Sequence, residues 1–345
     1  GVVSGWVFGN DGYMGTAITK RGNKKLTWET TSEFNIGLDL GFFDNRISLS
    51  MEYYNRIISD LLVSNKSLPA YNEINTIAAN IGKTQGRGFE LTLSTVNIMN
   101  KDWTWSTDFT FYTFKDNWYE RDPNWKPAAY ESKKDPIRSY YSYVSDGLLQ
   151  VGEKAPAWQP TLVPGQIKLK NLYDTGTSPN VLDQYDKVNL GSQDPKCTLG
   201  LNNTLRYKNL DFNIYFYGEI GRLRGASYYD AWIVGLGNSL TNVSQQSLHS
   251  YTNANQNTTV PNLIESAYDF GDYYHKKINY LRCRNITLGY TIPVSKSIAN
   301  SVRISANVSN PFVFTNWNGV DPETDTGNFS YPNVTSFSFG IDISF

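Results

Sequence analysis

Hydrophobic and polar residues alternate with a period of two along much of this chain. Ser336 to Phe345 puts Phe337, Phe339, Ile341, Ile343 and Phe345 on one face, and Ser336, Ser338, Gly340, Asp342 and Ser344 on the other. That pattern reads as a strand. Phe34, Ile36, Leu38, Leu40 and Phe42 alternate with Glu33, Asn35, Gly37, Asp39 and Gly41, and after Phe43-Asp44-Asn45 the pattern restarts at Ile47, Leu49, Met51 and Tyr53. Two strands joined by so short a turn form a hairpin. A second hairpin pairs Phe89–Thr95 with Trp103–Phe111 across Met99 to Asp102. A third runs from Leu199, Leu201, Leu205 and Tyr207, through Lys208-Asn209, into Leu210, Phe212, Ile214 and Phe216. A fourth joins Ile286, Leu288, Tyr290 and Ile292 to Val302, Ile304, Ala306 and Val308 through a turn begun by Pro293.

Connections between the hairpins are much longer than the turns within them, roughly 20 to 80 residues against the few usual for a hairpin. Short turns on one side and long loops on the other are the asymmetry of an outer-membrane β-barrel. Counting back from the last strand gives about nine strands, the first being Glu33 to Phe42, entering from the loop side. An odd count is at variance with a closed single-chain bacterial barrel, so a partial barrel is expected, with apolar faces toward lipid and polar faces toward a lumen.

Composition permits this. The 345 residues are 40% hydrophobic and 14% aromatic, with 24 Tyr, and the mean hydropathy is −0.44. No apolar run approaches the ~18 residues of a membrane helix. A formal charge of −1 gives no reason to expect nucleic acid. Cys197 and Cys283 are far apart in sequence and are expected as unpaired thiols. Gly1 is not an initiator residue and nothing at the start reads as a signal peptide, so a processed product or a piece of a longer protein is expected.

From Lys25 onward the chain resembles a specific family. Leu26 to Asp39, Arg46 to Tyr54 and Asp60-Leu-Leu are similar to the "lkWEtt…niGlD…yY…tdLL" stretch of SusC/RagA-type TonB-dependent outer-membrane transporters. Gly86-Arg-Gly-Phe-Glu-Leu resembles their "nkGfEl" strand, and Tyr143 to Gly147 with Gly165 to Leu172 their "Gy…dG…pGdiky" segment. Tyr280 to Pro293, Asn310-Pro-Phe, Gly319-Val-Asp-Pro-Glu323 and Tyr331-Pro to Phe345 resemble "YlRlknitlGYtlP…qNlf…G.DPE…YP…sfGl.ltF". The resemblance implies that residues 1–345 are the carboxyl-terminal part of a barrel of about 22 strands. It implies an active importer of oligosaccharide or peptide in a Gram-negative outer membrane, driven by the TonB complex. A SusD-like surface lipoprotein would close over the long loops. The plug domain and TonB-binding segment of the family are not in this sequence, and Phe345 is expected to be read by the outer-membrane assembly machinery.

No catalytic constellation stands out, and an importer rather than an enzyme is expected. His249 and His275 lack any HExxH, CxxC or GxSxG context and are expected as solvated loop residues. Asn171 to Gly176, the counterpart of a calcium-loop-like family segment, keeps only Asp174 as an acidic oxygen, so no calcium site is inferred and no metal or cofactor is expected. The triplets Asn285-Ile-Thr287 and Asn307-Val-Ser309 follow from alternation on one polar face. Candidate cargo contacts are Tyr112, Tyr215 and Tyr217 on inward strand faces, and Trp118, Trp125 and Trp158 in the long loop from Asn117 to Gln193. Two other classes stay open: a passive porin, and a secreted carbohydrate-binding β-sandwich, which would bury its apolar faces together.

Overall fold

The computed structural model describes residues 2–8, 11–16, 22–68, 76–123, 126–173, 180–225, 245–262, 270–294, 300–319, 321–324 and 331–345. The alternating segments pair into one antiparallel meander of nine strands in chain order. The first four are β1 Thr30–Phe42, β2 Ile47–Ser59, β3 Lys83–Met99 and β4 Trp103–Glu120. The others are β5 Cys197–Tyr207, β6 Leu210–Gly225, β7 His275–Ile292, β8 Ser301–Thr315 and β9 Ser336–Ser344. In this sheet β1 and β9 each have one neighbour, so it is an open wall, as the partial-barrel reading expects. A terminal edge left unpaired in hydrocarbon would be costly, and a closed barrel removes it.

Register fixes the two faces. Leu201 lies opposite Phe216 and Phe109, while Asn202 lies opposite Tyr215 and Asp108. Leu288 faces Phe212 and Ala306, and Thr287 faces Asn213 and Asn307. The polar side is bonded across strands. Ser94 Oγ donates to Asp108 at 2.7 Å, and Asn213 Nδ2 donates to Asn202 Oδ1 at 2.8 Å. Asn307 Nδ2 donates to Thr287 Oγ1 at 2.8 Å and Asn285 Nδ2 donates to the same hydroxyl at 2.9 Å. Both Asn-x-Ser/Thr triplets are therefore rungs of this ladder, as alternation implies. The first turn holds Phe43, Asp44 and Asn45 at φ 55, 55 and 63, a left-handed run that Asp and Asn tolerate better than most residues.

Several strands outrun their alternation. A tilted membrane strand needs about 9–11 residues, yet β3 has 17, β4 18, β6 16 and β7 18. The surplus lies on the long-loop side. Trp118, expected in a loop, is accordingly in β4, because pairing with β3 continues up to Lys83 opposite Glu120 despite the polar stretch Lys115 to Asn117.

The two longest connections are joined to each other. Strands Ser145–Leu148 and Ile167–Leu169 pair in the first, and Leu148, Ile167 and Leu169 form a buried cluster with Tyr251 of the second. Tyr143, Leu182, Phe270, Tyr273 and Tyr274 pack against it. Ser145 N–H donates to Asp272 Oδ1 at 2.7 Å, and Asn262 Nδ2 to the Pro164 carbonyl at 2.6 Å. Gly165, at φ +87, sits where a Cβ would be 2.6 Å from the Tyr251 ring, so only glycine lets the loops meet there. Asp186 is fully buried and accepts the N–H groups of Leu172, Tyr173 and Asp183. Its carboxylate organises the loop through these three backbone donors.

Candidate functional site on the lumen wall

Above the bonded ladder the polar face becomes aromatic and ionic. On β2, Tyr54 lies over Gly88 of β3, where any side chain would strike its ring. That space lets the Tyr54 hydroxyl reach the Tyr112 hydroxyl at 2.9 Å. Tyr112 stacks on Phe114 with centroids 5.5 Å apart. Arg56 lies 5.7 Å from the Tyr54 centroid and pairs with Glu33 of β1 at 2.6 Å.

A second group follows across β6 and β7. Tyr217 lies 6.3 Å from Tyr280, and its hydroxyl donates to Glu219 at 3.0 Å. Glu219 pairs with Arg222 at 2.7 Å. Arg284 stands 5.1 Å over the Tyr217 ring and pairs with Glu323 at 2.7 Å. Arg282 then binds Glu323 and Asp321, each at 2.8 Å. Tyr215 projects beside Gly200 of β5, where an added Cβ would lie 3.6 Å from the Tyr215 hydroxyl. The resulting chain of contacts runs from Arg222 through Tyr217 and Arg284 to Asp321 on the β8–β9 connection.

Arg282 and Asp321 are 3% and 4% exposed, so neither charge is tolerable without the other. Burial alone would raise the Asp321 carboxyl. Backbone N–H groups of Glu323, Thr324 and Asn333, together with Arg282, outweigh that and hold it below the ordinary aspartate range. These contacts fold the β8–β9 connection inward. Trp317 of the same connection is buried with Ile278 of β7.

A bulge puts the two arginines on this face. Arg284 is the extra residue between Cys283, opposite Phe216, and Asn285, opposite Tyr215. Bulges re-aim side chains in this way. Arg282 and Arg284 thus share the lumen side with Asn285, while Leu281 and Cys283 face outward.

Tyr112, Tyr215 and Tyr217 all lie on the lumen face, as expected. Trp118 carries Arg121 at 5.4 Å from its ring, and Trp158 donates its indole N–H to the Leu169 carbonyl at 2.8 Å within the loop core. Trp125 lies outside the described residues. Phe345 follows the last residue of β9 and is 87% exposed. His249 is exposed in a short 3-10 turn. His275 corrects its expectation: it begins β7 and stacks on Tyr140 at 4.4 Å, because the strand outruns its alternating segment. Both cysteines are free, and the described residues hold no cluster of three or more potential metal ligands.

An amphipathic antiparallel wall with a polar, aromatic-rimmed face and long loops on one side defines an outer-membrane β-barrel protein. The family model "TonB dependent receptor-like, beta-barrel" matches residues 4–152. TonB-dependent receptor P3 of Formosa agariphila is 29% identical over 98% of this chain and 36% of its own length. TonB-dependent receptor SusC of Bacteroides thetaiotaomicron is 28% identical over 97% of this chain and 34% of its own. A structure of the RagAB peptide transporter superposes with a TM-score of 0.76 at 24% identity, covering 99% of this chain and 38% of that one. The RagAB importer in its 'open-open' state gives 0.79 at 22% identity, covering 100% and 37%. The chain is an outer-membrane β-barrel protein similar to TonB-dependent receptors, SusC among them, over nearly its whole length. It spans about a third of the length of the curated relatives it matches.

Proposed function

We propose that residues 1–345 form the carboxyl-terminal part of the barrel of an active importer. A plug lies upstream in the complete protein, TonB supplies energy, and a SusD-like lipoprotein closes over the joined loops. The complete barrel has about 22 strands, Phe345 at the end of β9 is read during outer-membrane assembly, and the protein carries cargo rather than transforming it. The observation that carries the reading is the lumen-facing surface of rings and paired charges, Tyr54, Tyr112 and Phe114 on one side and Tyr217, Tyr280 and Arg284 on the other. Flat rings stack on sugar faces or peptide side chains, and the flanking ions orient polar groups of either. Oligosaccharide or peptide is therefore the cargo class. Trp118 and Trp125 are kept as outer contacts, and Trp158 supports them through the loop core.

The test uses the complete protein with Tyr112 and Tyr217 both changed to alanine. A central aromatic contact removed costs about 2 kcal/mol or more, roughly thirtyfold in affinity. Energy-dependent uptake of labelled nutrient should fall by at least that factor at limiting concentration while surface abundance holds. Unchanged uptake would refute this assignment of the site, and uptake insensitive to loss of TonB would favour the passive porin.

A further inference from the structure

Strand β5 begins at Cys197, while its neighbours continue upward past that level, β4 to Glu120 and β6 to Gly225. The wall is therefore notched above its apolar band. Strands Ser139–Ser142 and Val188–Ser192 cross the notch as a small sheet. They lie on the outward side: Tyr140 stacks on His275, and Gly191 abuts Lys277 and Leu223, which pair with each other at an outward-facing register position. A cavity of about 410 Å³ remains in the notch beside this sheet, lined by Phe114, Lys115, Asp116, Lys196, Gly221 and Lys277 among others. That volume is within the range of small-ligand sites.

Its level is informative. Directly below, on the outward face, stand Phe111 and Leu199, opposite each other, and the exposed Ile220 and Leu281. The cavity thus lies where the hydrocarbon region gives way to headgroups. Lys115, Lys196 and Lys277 are exposed, and none forms an ion pair among the described residues, unlike Lys83, Lys168 and Lys170. Two carboxylates share the site. Asp194 is held by Arg138 at 2.6 Å, and Asp116 accepts the Ile137 N–H at 3.4 Å. The lining is positive on balance. Lysines at such a boundary lay their stems on apolar surface and present ammonium groups to anionic headgroups.

We propose that this outward pocket binds the phosphate of an anionic glycolipid headgroup of the outer leaflet. Lys115, Lys196 and Lys277 supply the charge, and acyl chains run down over Ile220 and Leu281. The site adjoins the lumen wall at Phe114, but its three lysines take no part in the transport reading.

Native mass spectrometry of the complete protein in detergent, titrated with bis-phosphorylated lipid A, tests this. Replacing all three lysines with serine should weaken lipid A binding about a hundredfold, whereas the triple arginine replacement should keep it near wild type. Dephosphorylated lipid A should bind the wild type as weakly as lipid A binds the serine variant, and millimolar inorganic phosphate should not displace lipid A. If the serine triple fails to assemble, as judged by heat-modifiable gel mobility, the single changes Lys115→Gln, Lys196→Gln and Lys277→Gln are each expected to weaken binding severalfold. Unchanged affinity in the serine triple or in all three single variants would overturn the proposal. So would inorganic phosphate displacing lipid A, which would assign the pocket to a soluble anion.

Discussion

Replacing Arg282 with methionine keeps a side chain of similar length and removes the charge that faces Asp321 and Glu323. Cutting one partner out of a buried pair costs about 3–5 kcal/mol, because the other charge stays desolvated. Two features place this case at the low end. Glu323 retains Arg284 at 2.7 Å, and Asp321 retains three backbone donors. About 3 kcal/mol is therefore expected, which converts to a rise of roughly 150-fold in the population with the β8–β9 connection released. Hydrogen exchange on the complete protein in detergent reads this directly, at amides of residues 321–324 and 331–335 against those of β7. Arg303→Met is the control: that arginine is about a third exposed and pairs with Asp211 at 2.7 Å, a contact worth no more than about 1 kcal/mol. Exchange in the Arg282 variant within about threefold of wild type would refute the claim that this ion cluster holds the connection down, since the expected change is far larger.

Three other outcomes follow from the wall and its ion cluster. An arginine on the lipid face near mid-bilayer costs about 2–4 kcal/mol, so Leu288→Arg should impair assembly, read as heat-modifiable mobility, far more than Thr287→Arg on the polar face; equal tolerance would contradict the faces. Because the folded Asp321 carboxyl lies below its unfolded value of about 3.9, its stabilisation is present above that pH and is lost as pH falls through the lower folded value; exchange protection of 321–324 should hold down to about pH 4, and loss near pH 6 would refute the assignment. Because Arg284 is the extra residue, deleting it leaves Cys283 outward and Asn285 inward in a regular strand, so the deletion should assemble about as well as Arg284→Ala; loss of assembly in the deletion alone would refute the bulged register.

The faces of the wall were legible because a barrel strand has one period and two environments. Leu201 against Asn202 and Leu288 against Thr287 fall where alternation puts them, and the nine strands follow from counting such runs. Strand ends were not legible in the same way. Above the bilayer both faces meet water or protein, so the alternation fades while backbone pairing continues. Trp118 and His275 were therefore assigned to loops although Glu120 still pairs with Lys83 and His275 with Gly225. The joined loop core escaped for another reason: Leu148, Ile167 and Leu169 are met by Tyr251 about a hundred residues away, a contact that no local pattern encodes.

The lumen site was half visible, and the missing half turns on one residue. Counting back by twos from Ile286, which faces outward opposite Ile214, would send Arg282 and Arg284 out toward lipid and Cys283 into the lumen. Counting forward from Tyr280, which contacts Tyr217, gives the reverse. Both counts cannot hold in a regular strand, and the bulge at Arg284 reconciles them by inserting one residue between the two phases. The chemistry favours that insertion over either regular alternative: one phase would set two guanidinium groups against the apolar side and strand the buried Asp321 and Glu323, and the other would turn Ile286 and Leu288 inward among Asn202, Asn213 and Asn307. Gly319 to Glu323 and Tyr280 to Asn285 stood out separately as family-like segments, yet only the bulged register shows why they occur together: one supplies the carboxylates that the other's arginines require.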